Sequence, residues 1–212
     1  MLFDFEQMTP MQCFEFLTGT VVPRPIALIT SLSPEGIVNA APYSFFNIMG
    51  IEPPVVACTV LPTPDGRMKD TGHNILSARE FVVNLVPEHM AEAMNITCID
   101  APADVEELVL AGLRAVPSSK LKTPRIEGSP VAFECLLHAD VPLNANQFIA
   151  IGRIVRAHVA DEFVVDGAKQ IFNTPGLRLI GAMHAAKWYC RTSDRFAMDR
   201  PTWADWVKHK SV

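Results

Sequence analysis

Short apolar and β-branched runs alternate along this chain with segments of helical spacing, and turn residues punctuate both. Val21 to Leu32 is apolar and interrupted by Pro23 and Pro25, which exclude helix, so an extended segment is expected there. Ser33-Pro34-Glu35-Gly36 has the composition of a four-residue turn, and Ile37 to Ala41 should return antiparallel to the first segment. Val55 to Leu61 is apolar enough to be buried on both faces, and Glu80 to Val86 forms a further strand that Pro87 ends. Val131 to Val141 and Gln147 to Val159 read as two long strands joined by a turn at 142–146, and Phe163-Val164-Val165 adds a short one.

Helical signals fall between these runs. Thr9-Pro10-Met11-Gln12 marks a helix start, with Thr as N-cap, Pro in the first turn and Gln reaching back, and the helix should run to about Leu17 and stop at Gly19. Asp70 to Arg79 predicts a short helix capped by Asp70 or Thr71. The stretch from Glu88 to Leu113 turns helical with a break near Ala101-Pro102, and its acids Asp104, Glu106 and Glu107 sit where a helix dipole favours them. No repeat and no Gly/Ser linker divides the chain. The expectation is one domain over 1–212, with a core of about 18–165, a helical insert of about 88–114 and a C-terminal extension of about 176–212. Its fold class is mainly β with inserted helices, a small antiparallel β-barrel of about six strands rather than a doubly wound sheet.

Composition narrows the function. The 212 residues are 49% hydrophobic and 19% charged, which supports a sizeable core and excludes disorder. A net charge of −5 argues against non-specific nucleic-acid binding. There is no apolar run long enough for a membrane span, and the start, Met1 to Glu6, carries acids where a secretory signal carries bases. Five scattered cysteines without a CxxC pair read as reduced thiols of a cytoplasmic protein.

Several chemistries are missing. Neither G-x-G-x-x-G nor G-x-S-x-G occurs, and Gly176 to Gly181 has Walker spacing without the Lys-Ser/Thr that would follow. The six histidines form no H-x-x-x-H pair, so no metal site is expected. Three polar clusters remain. Arg24 lies between two prolines in Pro23 to Ser31, a run that ends in the hydroxyls of Thr30 and Ser31. Asn39-Ala40-Ala41-Pro42-Tyr43-Ser44-Phe45-Phe46-Asn47 is a polar, aromatic loop. Lys69-Asp70-Thr71-Gly72-His73-Asn74 opens the short helix. Together they hold the groups that grip a phosphate beside a flat ring: Arg, Lys, hydroxyls and fixed backbone amides. Read singly, each also fits a blander role: a surface ion pair, a capped turn with aromatic anchors, an ordinary helix cap.

In that order P-R-P-I-A-L-I-T-S, N-A-A-P-Y-S-F-F-N, K-D-T-x-x-N-I and E-F-V-V-N-L resemble the flavin reductase-like family of FMN-binding split barrels, which includes flavoredoxins and the reductases of two-component monooxygenases. The resemblance is clear from Val21 to Leu85 and looser beyond, through Arg178-Leu179-Ile180-Gly181 to Arg195–Pro201. It implies a six-stranded split barrel, a homodimer, and non-covalent FMN at or near the subunit interface. Arg24, Pro25 and Ile26 would flank the flavin. Thr30, Ser31, Asn39, Ala41, Tyr43, Ser44 and Phe45 would line its ring and tail, and Lys69, Thr71 and Asn74 would hold its phosphate. NADH or NADPH would serve as co-substrate, with a monooxygenase or another electron acceptor as partner. A flavoredoxin-like carrier without nicotinamide activity, or a split barrel that only binds a ligand, are the other readings. One motif departs from the family: Ile180 stands in place of a glycine, and His184 stands where a tyrosine is usual, as a possible catalytic or dinucleotide contact. The run Lys187 to Arg191 would form a lid or a dimer contact.

Overall fold

The structure, a computed structural model, describes residues 1–184 and 187–209. The last residues of the expected C-terminal extension, 210–212, lie outside it. In chain order the first half holds α1 (Pro10–Thr20), β1 (Arg24–Pro25), β2 (Ala27–Leu32), β3 (Val38–Tyr43), β4 (Phe46–Ile51), β5 (Pro54–Val60), α2 (Asp70–Ala78) and β6 (Glu80–Leu85). The second half holds α3 (Ala91–Ile96), α4 (Glu107–Leu110), β7 (Ala115–Val116), β8 (Arg125–Ile126), β9 (Val131–Asn144), β10 (Gln147–Val159), β11 (Val164–Asp166), β12 (Ile171–Phe172), β13 (Ile180–Ala182), β14 (Tyr189–Arg191) and α5 (Trp203–His209). Among the described residues no helix is long and apolar enough to cross a membrane.

The main sheet is antiparallel, in the order β3-β2-β6-β9-β10-β5-β4. The sequence leads one to expect six strands, and the sheet has seven. The extra strand is β4, which begins at the last two residues of the segment expected to be a polar, aromatic loop. Phe46 pairs with Cys58 and Ile51 with Pro54, so these residues open a hairpin arm. β4 lies at an edge of the sheet, where of its residues only Phe46 is buried. The two edge strands β3 and β4 are not paired with each other, so the sheet is open rather than a closed barrel.

One core cluster covers one side of this sheet around Ile29, Phe81, Val83, Cys135 and Phe148, with Ile75 of α2 packed into it. A second cluster, around Leu28, Met94, Leu108, Ile126 and Ile180, joins the sheet to the inserted helices and to β13. Close packing at the centre has a specific requirement at Gly152 of β10, where an added Cβ would lie 2.4 Å from Phe81 Cζ.

Local signals explain much of this. Thr9 and Gln12 form the capping box expected of them, with Thr9 N–H donating to Gln12 Oε1 at 2.8 Å. The helix continues to Thr20, past the expected Gly19 stop, and within it the Thr18 and Thr20 hydroxyls donate back to the carbonyls of Phe14 and Phe16. Between 88 and 113 the helical pattern is realised only as short pieces, and Glu107 does not simply decorate a helix start. It is buried, and its Oε2 accepts the Ala40 N–H of β3 at 3.0 Å.

Long-range order in the second half rests on two carboxylates. Glu134 of β9 is fully buried and accepts from the amides of Ser119 (2.8 Å), Lys120 (2.7 Å) and Leu121 (3.1 Å), from the Ser119 hydroxyl, and faces His158 Nε2 at 2.5 Å. Glu80 of β6 accepts the amides of Lys122 and Thr123. An irregular loop is thereby laced to the sheet through its own N–H groups.

Burial alone would raise the pKa of Glu134, but the hydrogen bonds from His158, Ser119 and Lys120 outweigh it and hold the carboxyl down at about 2, against an ordinary 4.5. A carboxylate depressed on folding contributes its full stability above its unfolded value and loses it as pH falls towards the folded one. Glu134→Gln should therefore cost about 1–3 kcal/mol at neutral pH in urea unfolding. It should also flatten the loss of stability between about pH 4.5 and about pH 2 that the parent protein shows.

Candidate functional site

Two of the three expected clusters meet where α2 begins, and Ser31 of the first backs them. A polar hollow of about 410 Å³ opens there, between the outer end of β3, the start of α2 and the 97–103 loop of the insert. Asn39, Ala41 and Tyr43 line it from β3, and Lys69, Asp70 and Thr71 from α2. The N-cap of α2 is Lys69, not Asp70 or Thr71, and no side chain caps the helix. The first-turn amides thus keep the unsatisfied donor character of a helix N-terminus.

A buried hydrogen-bond chain fixes this geometry. Asn39 Nδ2 donates to Thr71 Oγ1 at 2.7 Å and to Ser31 Oγ at 3.3 Å, and Asn74 Nδ2 donates to the same Ser31 oxygen at 3.2 Å. All four residues are buried. Ser31 and Asn74 therefore hold α2 against β2 from behind, while Asn39 and Thr71 face the hollow. Tyr43 adds a further polar atom: its hydroxyl is buried and has no hydrogen-bond partner among the described residues. Burial pushes its pKa well above the ordinary value, and the neighbouring Thr71 hydroxyl offsets this only in part. The phenol is thus a neutral donor at the edge of a hollow that can supply it an acceptor.

The other expected residues lie elsewhere. Thr30 is fully buried inside the sheet; its hydroxyl donates to the Pro124 carbonyl at 2.6 Å and receives Asn84 Nδ2 at 3.3 Å. It lines none of the hollows found, so its hydroxyl serves the fold. Arg24 is a strap. Its Nη1 donates to the carbonyls of Thr18 (2.7 Å) and Val21 (2.8 Å), its Nη2 to Met183 (2.6 Å), and its Nε to Ser44 Oγ (3.3 Å). The end of α1, the β3–β4 connection and the segment after β13 are tied through one guanidinium. Desolvation lowers its pKa, yet it remains charged, as arginine does.

Arg24, Pro25 and Ile26 line a second hollow of about 350 Å³, which is almost wholly apolar and walled by Phe46, Phe133 and Ile180. Arg24, Ser44 and Phe45 line a third, of about 390 Å³, that opens towards the outer edge of the sheet. Ile180, the residue in place of glycine, is buried in the second cluster. The neighbouring Gly181 supplies close approach instead, since a Cβ there would lie 3.0 Å from Pro23 Cβ. His184 is exposed and stacks on Trp188, ring centroids 5.8 Å apart, and lines none of the three hollows.

Sequence reasoning did not find Arg67, Met68, Cys98, Asp100 or Glu107 as neighbours of this site. The Thr63-Pro-Asp-Gly-Arg67 turn was a readable signal: it folds on itself through an exposed Arg67–Asp65 ion pair at 2.7 Å. The 97–103 loop and Glu107 carried no local signal, because only folding brings the insert over β3. Among the described residues no three His, Cys, Asp or Glu side chains converge as a metal site.

Comparison with known proteins follows the same lines. The flavin reductase like domain model matches residues 18–173. An uncharacterized protein of Halalkalibacterium halodurans is 36% identical over 203 residues, covering 93% of this chain and 95% of its own. Among solved structures, 2-nitrobenzoate 2-nitroreductase of Pseudomonas fluorescens is 35% identical with a TM-score of 0.87, covering 96% of this chain and 98% of its own. Nitrilotriacetate monooxygenase component B of Bacillus cereus is 30% identical with a TM-score of 0.86, covering 93% and 98%.

The strap yields a direct test. Arg24→Ala leaves the carbonyls of Thr18, Val21 and Met183 without their donor, and should cost about 2–4 kcal/mol in denaturant unfolding. Limited proteolysis should then cut first near Met183, whose carbonyl Arg24 holds.

Proposed function

The chain belongs to the flavin reductase-like family, and on that premise we propose that it is an FMN-binding oxidoreductase that uses NADH or NADPH to reduce flavin and hands reduced flavin or electrons to a partner. The observation that carries this reading is the polar hollow at the start of α2. There an uncapped helix end, Lys69 and the buried Thr71 hydroxyl meet the backbone of Asn39 to Tyr43. These groups suit an anionic tail, and the unpartnered Tyr43 hydroxyl suits a ligand acceptor. Bound FMN would supply the two-electron chemistry that none of these side chains can perform.

The chain's own part is to hold and orient. Lys69, with Thr71 and the first-turn amides, grips the phosphate. Ala41 and Pro42 offer apolar surface to the ring, and Asn39 sets the orientation of Thr71 through its 2.7 Å bond. Ser31 and Asn74 act from behind, as positioning residues. The 97–103 loop covers the hollow on the side of the insert and limits water there.

The partner reading is favoured by the monooxygenase component B among the structural relatives. A second reading, reduction of a nitroaromatic substrate by the same flavin, is favoured by the nitroreductase at 35% identity. Anaerobic oxidation of NADH and NADPH with FMN alone, and then with 2-nitrobenzoate, separates them. Turnover that needs the nitro compound supports the second reading, and turnover with FMN as sole acceptor supports the first. Protein that retains no flavin absorbance after reconstitution with FMN would rule out both.

We further infer a homodimer formed through the β4 edge. Ile48, Met49 and Ile51 are 62%, 63% and 90% exposed on a strand that, among the described residues, has no neighbouring strand on its outer side, a surface that a second copy of the chain would cover.

Two measurements follow. Lys69→Ala and Thr71→Ala should each weaken FMN binding by about tenfold or more, while Lys187→Ala, outside the hollow, should change it less than about twofold. Equal effects of all three on the FMN fluorescence titration would remove the phosphate assignment. Met49→Glu should shift the protein from dimer to monomer in light scattering, whereas an unchanged mass would place the interface elsewhere.

A further inference from the structure

The polar hollow is short of positive charge. Lys69 and Arg67 line it together with three carboxylates, those of Asp70, Asp100 and Glu107, and Arg67 is already paired with Asp65. Glu107 is the buried member of the set, 7% exposed. Its Oε2 accepts the Ala40 N–H, and among the described residues no Lys or Arg nitrogen lies within ion-pair distance of it. It belongs to the inserted segment, so the insert places an uncompensated negative charge against the β3 wall of the hollow. The Tyr43 hydroxyl, buried and without a hydrogen-bond partner among the described residues, lies beside Thr71 in the same wall.

We propose that Glu107 is a specificity-determining residue of this hollow: its carboxylate opposes the phosphate of a phosphorylated flavin, narrows the preference for FMN over riboflavin, and keeps FMN exchangeable. This rests on the flavin reading given above. The charged and titratable groups around Glu107 are Asp70 from α2, Glu106 from α4 and Tyr43 from β3, with Lys69, Arg67 and Asp100 further along the lining. Burial is the main influence raising its pKa from the ordinary carboxylate value, the Ala40 N–H opposes this, and Asp70 and Glu106 add to it. A carboxylate with a raised pKa becomes neutral earlier as pH falls, so the opposition to phosphate fades on the acid side.

Fluorescence quenching of FMN and of riboflavin by the full-length protein at pH 8 tests the idea without recourse to turnover. Glu107→Gln keeps the side-chain shape and an oxygen for the Ala40 amide. It should bind FMN about tenfold more tightly than the parent protein, with riboflavin affinity within about twofold, as expected for loss of one like charge at a partly buried site. Unchanged or weaker FMN binding, or an equal change for both flavins, would overturn the assignment. The parent protein gives the second arm, which does not depend on the variant folding. Its FMN affinity at pH 8 should exceed its riboflavin affinity by no more than about tenfold, since a like charge in the lining offsets the attraction of Lys69 for the phosphate. A ratio well above that overturns the proposal while leaving the flavin reading intact. Failure of the parent protein to bind either flavin at any pH removes the flavin reading, and this proposal with it.

Discussion

The position of α2 against β2 and β3 decides whether this molecule has a site at all. A nine-residue helix is too short to hold itself in place, and α2 has no side-chain cap. Its start is fixed instead by the buried bonds among Ser31, Asn39, Thr71 and Asn74, while Ile75 is sunk in the main core. Each member of that set occupies its partner's hydrogen-bonding capacity, so removing one leaves another buried and unsatisfied, at about 1–3 kcal/mol. Such a network rigidifies the helix start and aims its amides and Lys69 at a constant place beside β3. Preorganisation of this kind is what a binding hollow requires.

Similar logic recurs wherever irregular backbone must be held. Arg24 satisfies three carbonyls from two distant parts of the chain, and Glu134 and Glu80 together satisfy the amides of residues 119–123. In each case a charged side chain replaces the strand partner that a loop lacks. The guanidinium, with its several donors in a fixed fork, suits carbonyls; the carboxylate, with two oxygens, suits a run of N–H groups. The sheet supplies the fixed platform, and these charges attach the segments that carry function or close the ends.

The hollow itself is a compromise between gripping and releasing. A site meant to retain a dianionic tail permanently would gather cations, and here carboxylates outnumber them in the lining. The insert contributes to that balance twice, through Asp100 and Glu107, and also supplies the 97–103 cover. Holding capacity therefore comes from α2 and β3, while the insert tunes it.

Much of this was legible from residue order. The capping box at Thr9 and Gln12, the strands around Ile29, Val56 and Val83, and the long β9–β10 pair follow from local chemistry and period-two or continuous apolar patterning, which act over a few residues. The polar clusters at Asn39 to Tyr43 and Lys69 to Thr71 were visible as residue types capable of binding an anion and a ring. Beyond that, distance along the chain concealed the answer. Whether Arg24 faces a ligand or a set of carbonyls, whether Thr30 is reachable, and whether Glu107 meets β3 depend on contacts separated by up to 159 positions. The edge strand β4 was not expected, although Phe46, Ile48, Met49 and Ile51 are apolar, because its first residues read as the end of a polar loop. Sequence alone thus determined which segments are extended or helical and which residues have suitable chemistry, because propensity and capping are local. Only the tertiary structure decided which of those residues share a hollow and which are used up in holding it, because burial and hydrogen-bond satisfaction are settled between segments that meet only in the folded chain.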